Sequence, residues 1–237
     1  MIKGIFQAGR SLQLGEKQIG VISNNLANMG TSGYKKALPF YEILESEGKR
    51  VTNQATDFSA GEHLYTGNPL DVALQGNAYF AVETESGDRL TRDGKFLISE
   101  DGYLTNRKGD NVIGEGGAIN LKDVMIGNNN KVTISTDGMV MVGDKVVDKL
   151  MIMREGEGSK LLKDYEVYFR TNDDNNFVQV NDDEYSVAQG FLENSNVNPI
   201  NEMESMISLS KNYESAKNIL TYLDDSLEKA NQIGKVF

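Results

Sequence analysis

The sequence predicts an α+β protein in which a mainly antiparallel β domain is inserted between N- and C-terminal coiled-coil helices. Apolar residues recur at helical spacing near both ends of the chain. Over the long middle they alternate with polar residues, which is the pattern of half-buried strands. Pairs of glycine and aspartate separate the alternating stretches, as tight turns between antiparallel strands require.

A heptad stripe between residues 5 and 29 predicts the first helix. Its positions alternate between spacings of three and four residues, and all are apolar except Gly15. Gly30 and the turn-forming residues 31–33 then end the pattern. The stripe consists of Ile5, Ala8, Leu12, Gly15, Ile19, Ile22, Leu26 and Met29.

The second helix is predicted to begin at Asn198 and Pro199, because asparagine suits the N-cap and proline the first helical position. Its stripe consists of Met206, Leu209, Tyr213, Ala216, Leu220, Leu223, Leu227 and Ala230. The apolar surface is wider than a two-stranded seam needs, so the helix is expected to have more than one neighbour. The additional positions are Met203, Ile207, Ile219 and Ile233. Periodicity alone leaves open whether the two helices pack on the protein's own β core or on other chains.

The alternating middle of the chain is predicted to form an antiparallel β domain. Residues expected to share a strand face are Leu70, Val72 and Leu74; Val132 and Ile134; and Tyr165, Val167 and Phe169. Asp93-Gly94 and Asp137-Gly138 are among the dipeptides expected to supply the positive φ of hairpin turns. The predicted organisation is an N-terminal helix in residues 1–36, an extended connector in 37–69, the β domain in 70–188, and a C-terminal segment and helix in 189–237.

The composition excludes several classes of function. Lys and Arg number 24 against 35 Asp and Glu, and a net charge of -11 does not suit the binding of nucleic-acid phosphates. The chain has no cysteine, which excludes disulfides, thiolate metal sites and cysteine nucleophiles. No apolar run reaches the roughly 18 residues of a membrane span, so no membrane insertion is expected. The N-terminus lacks the apolar core of a secretory signal, so if the protein is exported, it uses a route that does not cleave its leader.

No residue pattern predicts catalysis, a cofactor or a metal ion. His63 is the only histidine, and its neighbours form no motif. Residues 173–176 (DDNN) lack the spacing of a calcium loop and suit a hairpin turn. Two further interpretations remain at this point. A β-rich cell-surface enzyme acting on polysaccharides requires paired acids in a pocket, and a coiled-coil adhesin or adaptor requires longer heptads.

Several segments, in order along the chain, resemble the signatures of the flagellar rod and hook protein family. Residues 23–35 read SNNLANMGTSGYK, and the matching positions are Asn24, Asn25, Leu26, Asn28 and Gly33. The other segments are residues 66–80 (TGNPLDVALQGNAYF), 90–96 (LTRDGKF) and 190–197 (GFLENSNV). Ser23, Ala78 and Leu90 depart from the family's usual residues. The sequence is identified as a member of this family, most like the proximal rod type and next most like the distal rod type.

This resemblance implies a structural subunit of the basal-body rod, a helical drive shaft that transmits torque, with no catalysis and no cofactor. Its partners would be other copies and neighbouring rod proteins, and its location the periplasm-spanning rod. Family members leave through the flagellar type III export apparatus, and Phe40 and Leu44 occupy the key places of an FxxxΦ export motif. Residues expected at the assembly interface are Ile5, Leu12, Ile19, Ile22, Leu26, Met206, Leu209, Tyr213, Leu220, Leu223 and Leu227.

Overall fold

The structure is a computed structural model that describes residues 2–39, 41–44, 50–53, 55–122, 131–173 and 176–234. The chain forms two compact units. The helical unit comprises residues 1–29, 36–57 and 197–237, and the β unit comprises residues 30–35 and 58–196. Helices at both ends of the chain flank an antiparallel β domain, which confirms the predicted α+β class. The coiled-coil character of the helices stays a prediction.

Helix α1 (Ile2–Ala27) confirms the helix predicted from the N-terminal stripe. A side chain caps the C-terminal end of the helix: the side-chain amide of Asn28 donates a hydrogen bond to the backbone carbonyl oxygen of Asn24 over 2.8 Å. The helix therefore ends where the apolar periodicity ends, just before the predicted turn.

Helix α2 (Pro199–Gly234) has 36 residues, and at 1.5 Å per residue it is about 54 Å long. The side-chain oxygen of Asn198 accepts hydrogen bonds from the backbone N–H groups of Ile200 and Asn201, at 3.0 and 3.3 Å. This geometry confirms the predicted N-cap with proline at the first helical position. Neither described helix is both long enough and apolar enough to cross a membrane.

A short hairpin completes the helical unit. Strand β1 (Tyr41–Leu44) pairs antiparallel with β2 (Arg50–Asn53). On either side of it, Leu38 donates to the carbonyl of Ala55 over 2.8 Å, and Asp57 donates to the carbonyl of Lys36 over 2.9 Å. Part of the segment predicted as an extended connector is thus paired with itself.

The β unit consists of short strands joined by tight turns. They are β3 (His63–Tyr65), β4 (Val72–Gln75), β5 (Tyr79–Thr84), β6 (Gly87–Thr91), β7 (Leu97–Ile98), β8 (Leu104–Thr105), β9 (Asn111–Gly114), β10 (Gly117–Ala118), β11 (Val132–Ile134), β12 (Met139–Val142), β13 (Lys145–Lys149), β14 (Ile152–Glu155), β15 (Leu161–Tyr165), β16 (Tyr168–Thr171), β17 (Phe177–Gln179), β18 (Ser186–Gln189) and β19 (Phe191–Glu193).

Every pairing among these described strands is antiparallel, as predicted. The main sheet has the order β15-β16-β6-β5-β9-β8-β7, with β10 beside β9 and β14 between β5 and β17. Smaller sheets are formed by β11-β12-β13, by β18 with β4 and by β19 with β3. Tyr79, Leu90 and Phe169 form a buried cluster in the main sheet, and the Phe169 ring packs edge-on against Phe58 with centroids 5.4 Å apart.

The prediction that Tyr165, Val167 and Phe169 share one strand face is wrong. The chain reverses here in the hairpin between β15 and β16, so that Tyr165 pairs with Tyr168. Glu166 in the turn has a φ of 43°, an unusual value for a residue with a side chain. The apolar alternation continues through the turn, and alternation alone therefore gives no sign of the reversal.

Two predictions around β4 are also wrong. Val72, Ala73 and Leu74 are all buried, so this strand is covered on both faces instead of one. Gly94 is not a hairpin glycine with positive φ, whereas Gly138 is, with a φ of 86°. A Cβ at Gly94 would lie 1.7 Å from the carbonyl oxygen of Val72, so glycine is required because two backbone segments touch.

Candidate assembly interface

The two terminal helices pack against each other as an antiparallel pair. Close approaches along the pair join Gly4 with Leu223, Gly15 with Tyr213, and Asn25 with Glu202. In each case the two residue numbers add up to 227 or 228, so α1 and α2 keep one register along the whole contact. The apolar stripes of the two helices therefore form one continuous seam within the chain.

The residues predicted for the assembly interface follow the register of this seam. Ile22 is buried, whereas Tyr213 keeps 37% of its surface exposed. The half-buried members are Ile5, Leu12, Ile19, Leu26, Met206, Leu209, Leu220, Leu223 and Leu227. Their assignment to contacts between copies stays a prediction.

Helix α2 also carries apolar side chains on the face opposite the seam. Successive helical residues are about 100° apart, which places Ile200, Met203 and Ile207 together on the side away from Leu209. Their exposed fractions are 76%, 49% and 58%, and Tyr222 on the same side is 74% exposed. One helical partner thus covers only one of two apolar faces.

Asn25, a residue of the family motif, fixes the chain that follows α1. Its amide nitrogen donates to the carbonyl oxygen of Ala37 over 2.8 Å, and the N–H of Ala37 donates to its amide oxygen over 2.9 Å. The side chain thereby pairs with Ala37 as a neighbouring strand would. Asn25 is fully buried, so both backbone groups of Ala37 depend on it.

Glu202 connects the same region to the start of α2. Its carboxylate accepts a hydrogen bond from Asn25 at 3.1 Å and forms an ion pair with Lys36 at 2.5 Å. Only 3% of Glu202 is exposed, so its charge is stabilised by these partners and not by water. The helical unit is therefore held by one apolar seam and one buried polar junction.

A second buried junction, which we call the Glu193 cluster, lies in the β unit and consists of Glu193, Lys35 and Arg92. One carboxylate oxygen of Glu193 accepts from the Lys35 ammonium at 2.6 Å and from the backbone N–H of Gly61 at 3.1 Å. The other oxygen accepts from the Arg92 guanidinium at 3.1 Å. All three charged side chains are at most 4% exposed.

Backbone carbonyls accept further hydrogen bonds from both cations, although the Nε of Arg92 has no partner among the described residues. Lys35 donates to the carbonyl of Ser59 at 2.6 Å. Arg92 donates to the carbonyls of Leu74 and Gly76 at 3.1 and 2.5 Å. The cluster therefore joins the segment after α1 to strands from distant parts of the β unit, with most polar atoms paired.

Gly33 of the family motif is required by this arrangement. It has a φ of 69°, and a Cβ there would lie 2.2 Å from the backbone nitrogen of Asp93. Its N–H donates to the backbone carbonyl of Glu193 over 2.8 Å, and the neighbouring Ser32 hydroxyl donates to the Asp93 carboxylate over 2.5 Å. The motif thus packs against two of the other family-like segments, residues 90–96 and 190–197.

Lys35, Arg92 and Glu193 were not predicted to be partners from the sequence. A signal was present, since each is a charged residue inside one of the family-like segments 23–35, 90–96 and 190–197. A single sequence nevertheless gives no pairing between positions so far apart, and charged residues are expected at the surface.

Tyr79 and Lys163 are among the side chains of the β unit whose pKa values are displaced. Burial raises the pKa of Tyr79 to about 12, against the opposing effect of Arg92, whose guanidinium lies 4.7 Å from the ring centroid. Burial lowers the pKa of Lys163 to about 8. The Lys163 ammonium donates to the carbonyl of Lys35 at 2.9 Å and lies 3.5 Å from the centroid of the Tyr34 ring.

The remaining sequence predictions concern export and metal binding. Phe40 and the side chain of Leu44 lie outside the described residues, so the export motif stays a prediction. His63 lies on β3 opposite Glu193. Within the described parts of the chain, no group of three or more histidine, cysteine, aspartate or glutamate residues is arranged to hold a metal ion.

Comparison with known proteins covers both helices and much of the β unit. The family described as "Flagella basal body rod protein" matches residues 8–35. "Flagellar hook protein FlgE/F/G D1 domain" matches residues 73–142, and "Flagellar basal body rod FlgEFG protein C-terminal" matches residues 188–233.

Curated relatives match along nearly the whole chain. Flagellar basal-body rod protein FlgF of Rhizobium meliloti is 30% identical, over 97% of this chain and 97% of the relative. FlgF of Escherichia coli is 30% identical over 91% and 92%. Flagellar basal-body rod protein FlgG of Buchnera aphidicola is 26% identical over 98% and 100%.

Two terminal helices around a β domain, together with these matches, define a structural protein of the flagellum. Most of α1 and of α2 lies in the two matched terminal segments, and the Glu193 cluster takes Lys35 from the first segment and Glu193 from the second. The chain belongs to the flagellar basal-body rod protein family.

Proposed function

We propose that this rod subunit belongs to the proximal part of the rod and polymerises through its helical unit. The full-length similarity to FlgF proteins at about 30% identity supports the proximal position. In this proposal residues 1–36 and 189–237 contribute the assembly core, residues 37–69 the connector and residues 70–188 the outer domain. A distal position is the alternative, since FlgG proteins are similar over the same length.

The observation that carries the proposal is the second apolar face of α2. Fully burying a large apolar side chain is worth about 1.5–3 kcal/mol, so Ile200, Met203, Ile207 and Tyr222 together offer about 4–8 kcal/mol from the half to three-quarters still exposed. Association costs about 4–15 kcal/mol in lost freedom of motion. One such contact offsets only the lower part of that cost, so several neighbours for each subunit, as in a helical tube, favour a stable assembly.

Torque transmission requires that the segment joining the helical unit to the β unit is anchored in each of them. Lys35 is anchored in the β unit by Glu193 at 2.6 Å, and the next residue, Lys36, is anchored in the helical unit by Glu202 at 2.5 Å. Adjacent residues are thus ion-paired within their own units. In this proposal each anchor fixes one end of the connection within its own unit, and the protein works mechanically, without catalysis or a cofactor.

The proposed partners are other copies of the chain, neighbouring rod proteins and the flagellar type III export apparatus, and the proposed location is the periplasm-spanning rod. Phe40 and Leu44 supply the export motif. Replacing both by alanine should leave the chain in the cytoplasm, because the export gate loses its two apolar contacts. Replacing Tyr41 and Ile43 instead is the matched control, and equal secretion of the two variants would contradict the motif.

Deletion of the gene followed by electron microscopy of purified basal bodies tests the proposed function. A truncated rod without a hook is expected. A rod that stops near its base supports the proximal position, whereas a longer stump supports the distal one. Intact rods and hooks would contradict a role in the rod and would favour a surface structure other than the flagellum.

A further inference from the structure

The exposed side of α1 carries basic and aromatic side chains. Lys3, Arg10 and Lys17 recur every seven residues on the side that faces away from the seam. Phe6 lies among them, and 76% of its surface is exposed. A groove of about 750 Å³ runs from beside Phe6 towards the seam, since Ile5 and Leu220 also line it. The side of α1 opposite the seam therefore offers a protruding ring, and the flank between this ring and the seam offers space for an incoming side chain.

The exposed side of α2 offers the complementary chemistry. Ile200, Met203 and Ile207 form an apolar strip near the start of the helix, and the exposed carboxylate of Glu204 lies beside it. An aromatic ring and the exposed cation of Lys3 on one surface thus correspond to an apolar strip and an anion on the other.

These two surfaces cannot meet within one chain. The register of the seam places Phe6 opposite residues near 221. Ile207 is 14 residues from that point, which corresponds to about 21 Å along the helix. A contact between the two surfaces therefore requires two copies.

We propose that the Phe6 surface of α1 in one copy docks on the Ile200–Ile207 strip of α2 in a second copy. Phe6 packs against the strip while Lys3 approaches Glu204. Because the two surfaces differ, the contact is heterologous and repeats head to tail, which produces an open polymer instead of a closed dimer. This inference rests on the proposed function, since it names the partner surface for the exposed face of α2.

Disulfide cross-linking tests the contact, because the chain has no cysteine of its own. The double variant Phe6→Cys with Ile207→Cys, expressed in place of the native chain, should yield a ladder of dimers and longer species when basal bodies are oxidised and analysed without reductant. A disulfide inside one chain is excluded because its Cα atoms must lie within about 7 Å. The matched control is Gly4→Cys with Leu223→Cys, which spans the seam and should cross-link within single chains only.

The outcomes separate this inference from the proposed function. Variant chains that are present in basal bodies but remain monomeric would overturn the inference and leave the rod assignment intact. Native chains that are absent from basal bodies would overturn the rod assignment itself. Dimers formed by Ile207→Cys alone would indicate a symmetric contact and would also overturn the inference.

A charge exchange gives a second measurement that does not depend on cysteine variants folding. Lys3→Glu should reduce incorporation into basal bodies, and adding Glu204→Lys should restore it. Restoration supports the pairing of the two surfaces. Incorporation that Lys3→Glu leaves unchanged, or a loss that the second substitution does not reverse, would contradict the pairing.

Discussion

Replacing Glu193 by glutamine tests whether the Glu193 cluster stabilises the β unit. The carboxylate accepts hydrogen bonds from Lys35 and Arg92 at 2.6 and 3.1 Å, and it is 1% exposed. Glutamine keeps the shape but removes the negative charge, and it turns one acceptor into a donor that faces a cation. Two buried cations then lack a counter-charge, and breaking a buried ion pair in this way costs about 3–5 kcal/mol.

The measurement is thermal and urea unfolding followed by circular dichroism. A change of 1 kcal/mol shifts the melting temperature of a chain this long by about 2–4 °C, so Glu193→Gln should lower it by about 6–20 °C. The matched control is Glu184→Gln, which removes an ion pair with Arg154 at 2.6 Å whose side chains are 36% and 40% exposed. That pair is worth about 0–1 kcal/mol. Equal shifts for the two variants would refute the argument that burial makes the Glu193 cluster strong.

Three further variants test other parts of the structure. Gly33→Ala should cost more unfolding free energy than Gly109→Ala, because both glycines have positive φ but only the first would place its Cβ against backbone, at 2.2 Å; urea unfolding of the pair checks this. Asn25→Ala removes two buried backbone hydrogen bonds and should cost about 2–5 kcal/mol, which loss of amide protection in hydrogen exchange at residue 37 would localise. Burial lowers the pKa of Lys163 from 10.5 to about 8, so between those values the unfolded chain binds more protons and the unfolding free energy rises with pH. Lys163→Met should lack that rise in urea titrations at increasing pH, and an unchanged pH dependence would contradict the burial of this ammonium.

The parts of the fold that could be predicted from sequence are those with local causes. Asn198 followed by proline specifies a helix start through hydrogen bonds within a few residues, and the helix begins there. The heptad stripes likewise specify which side of each helix is apolar. Which partner covers that side is not a local property, and periodicity alone left it open.

The parts that could not be predicted depend on distant contacts. Gly94 follows an aspartate, as turn glycines often do. It is glycine, however, because the backbone of Val72 in β4 leaves no room for a side chain. Lys35 and Glu193 are 158 positions apart, and only the folded β unit brings them within 2.6 Å. Both residues lie in family-like segments, but the sequence did not show that they form a buried ion pair with each other.

The seam between α1 and α2 has a consequence for the order of events during synthesis. Gly4 lies close to Leu223 in the seam, so α1, which is synthesised first, cannot form the seam until α2 has been synthesised. At about 5–20 residues per second, the ribosome needs about 10–35 s to proceed from the end of α1 at Ala27 to the start of α2 at Pro199. The β unit, whose contacts lie between residues 30 and 196, has its whole sequence available before that moment. The newborn chain therefore exposes an unpaired apolar helix segment throughout this interval, which is the time available for a chaperone or an export receptor to bind it.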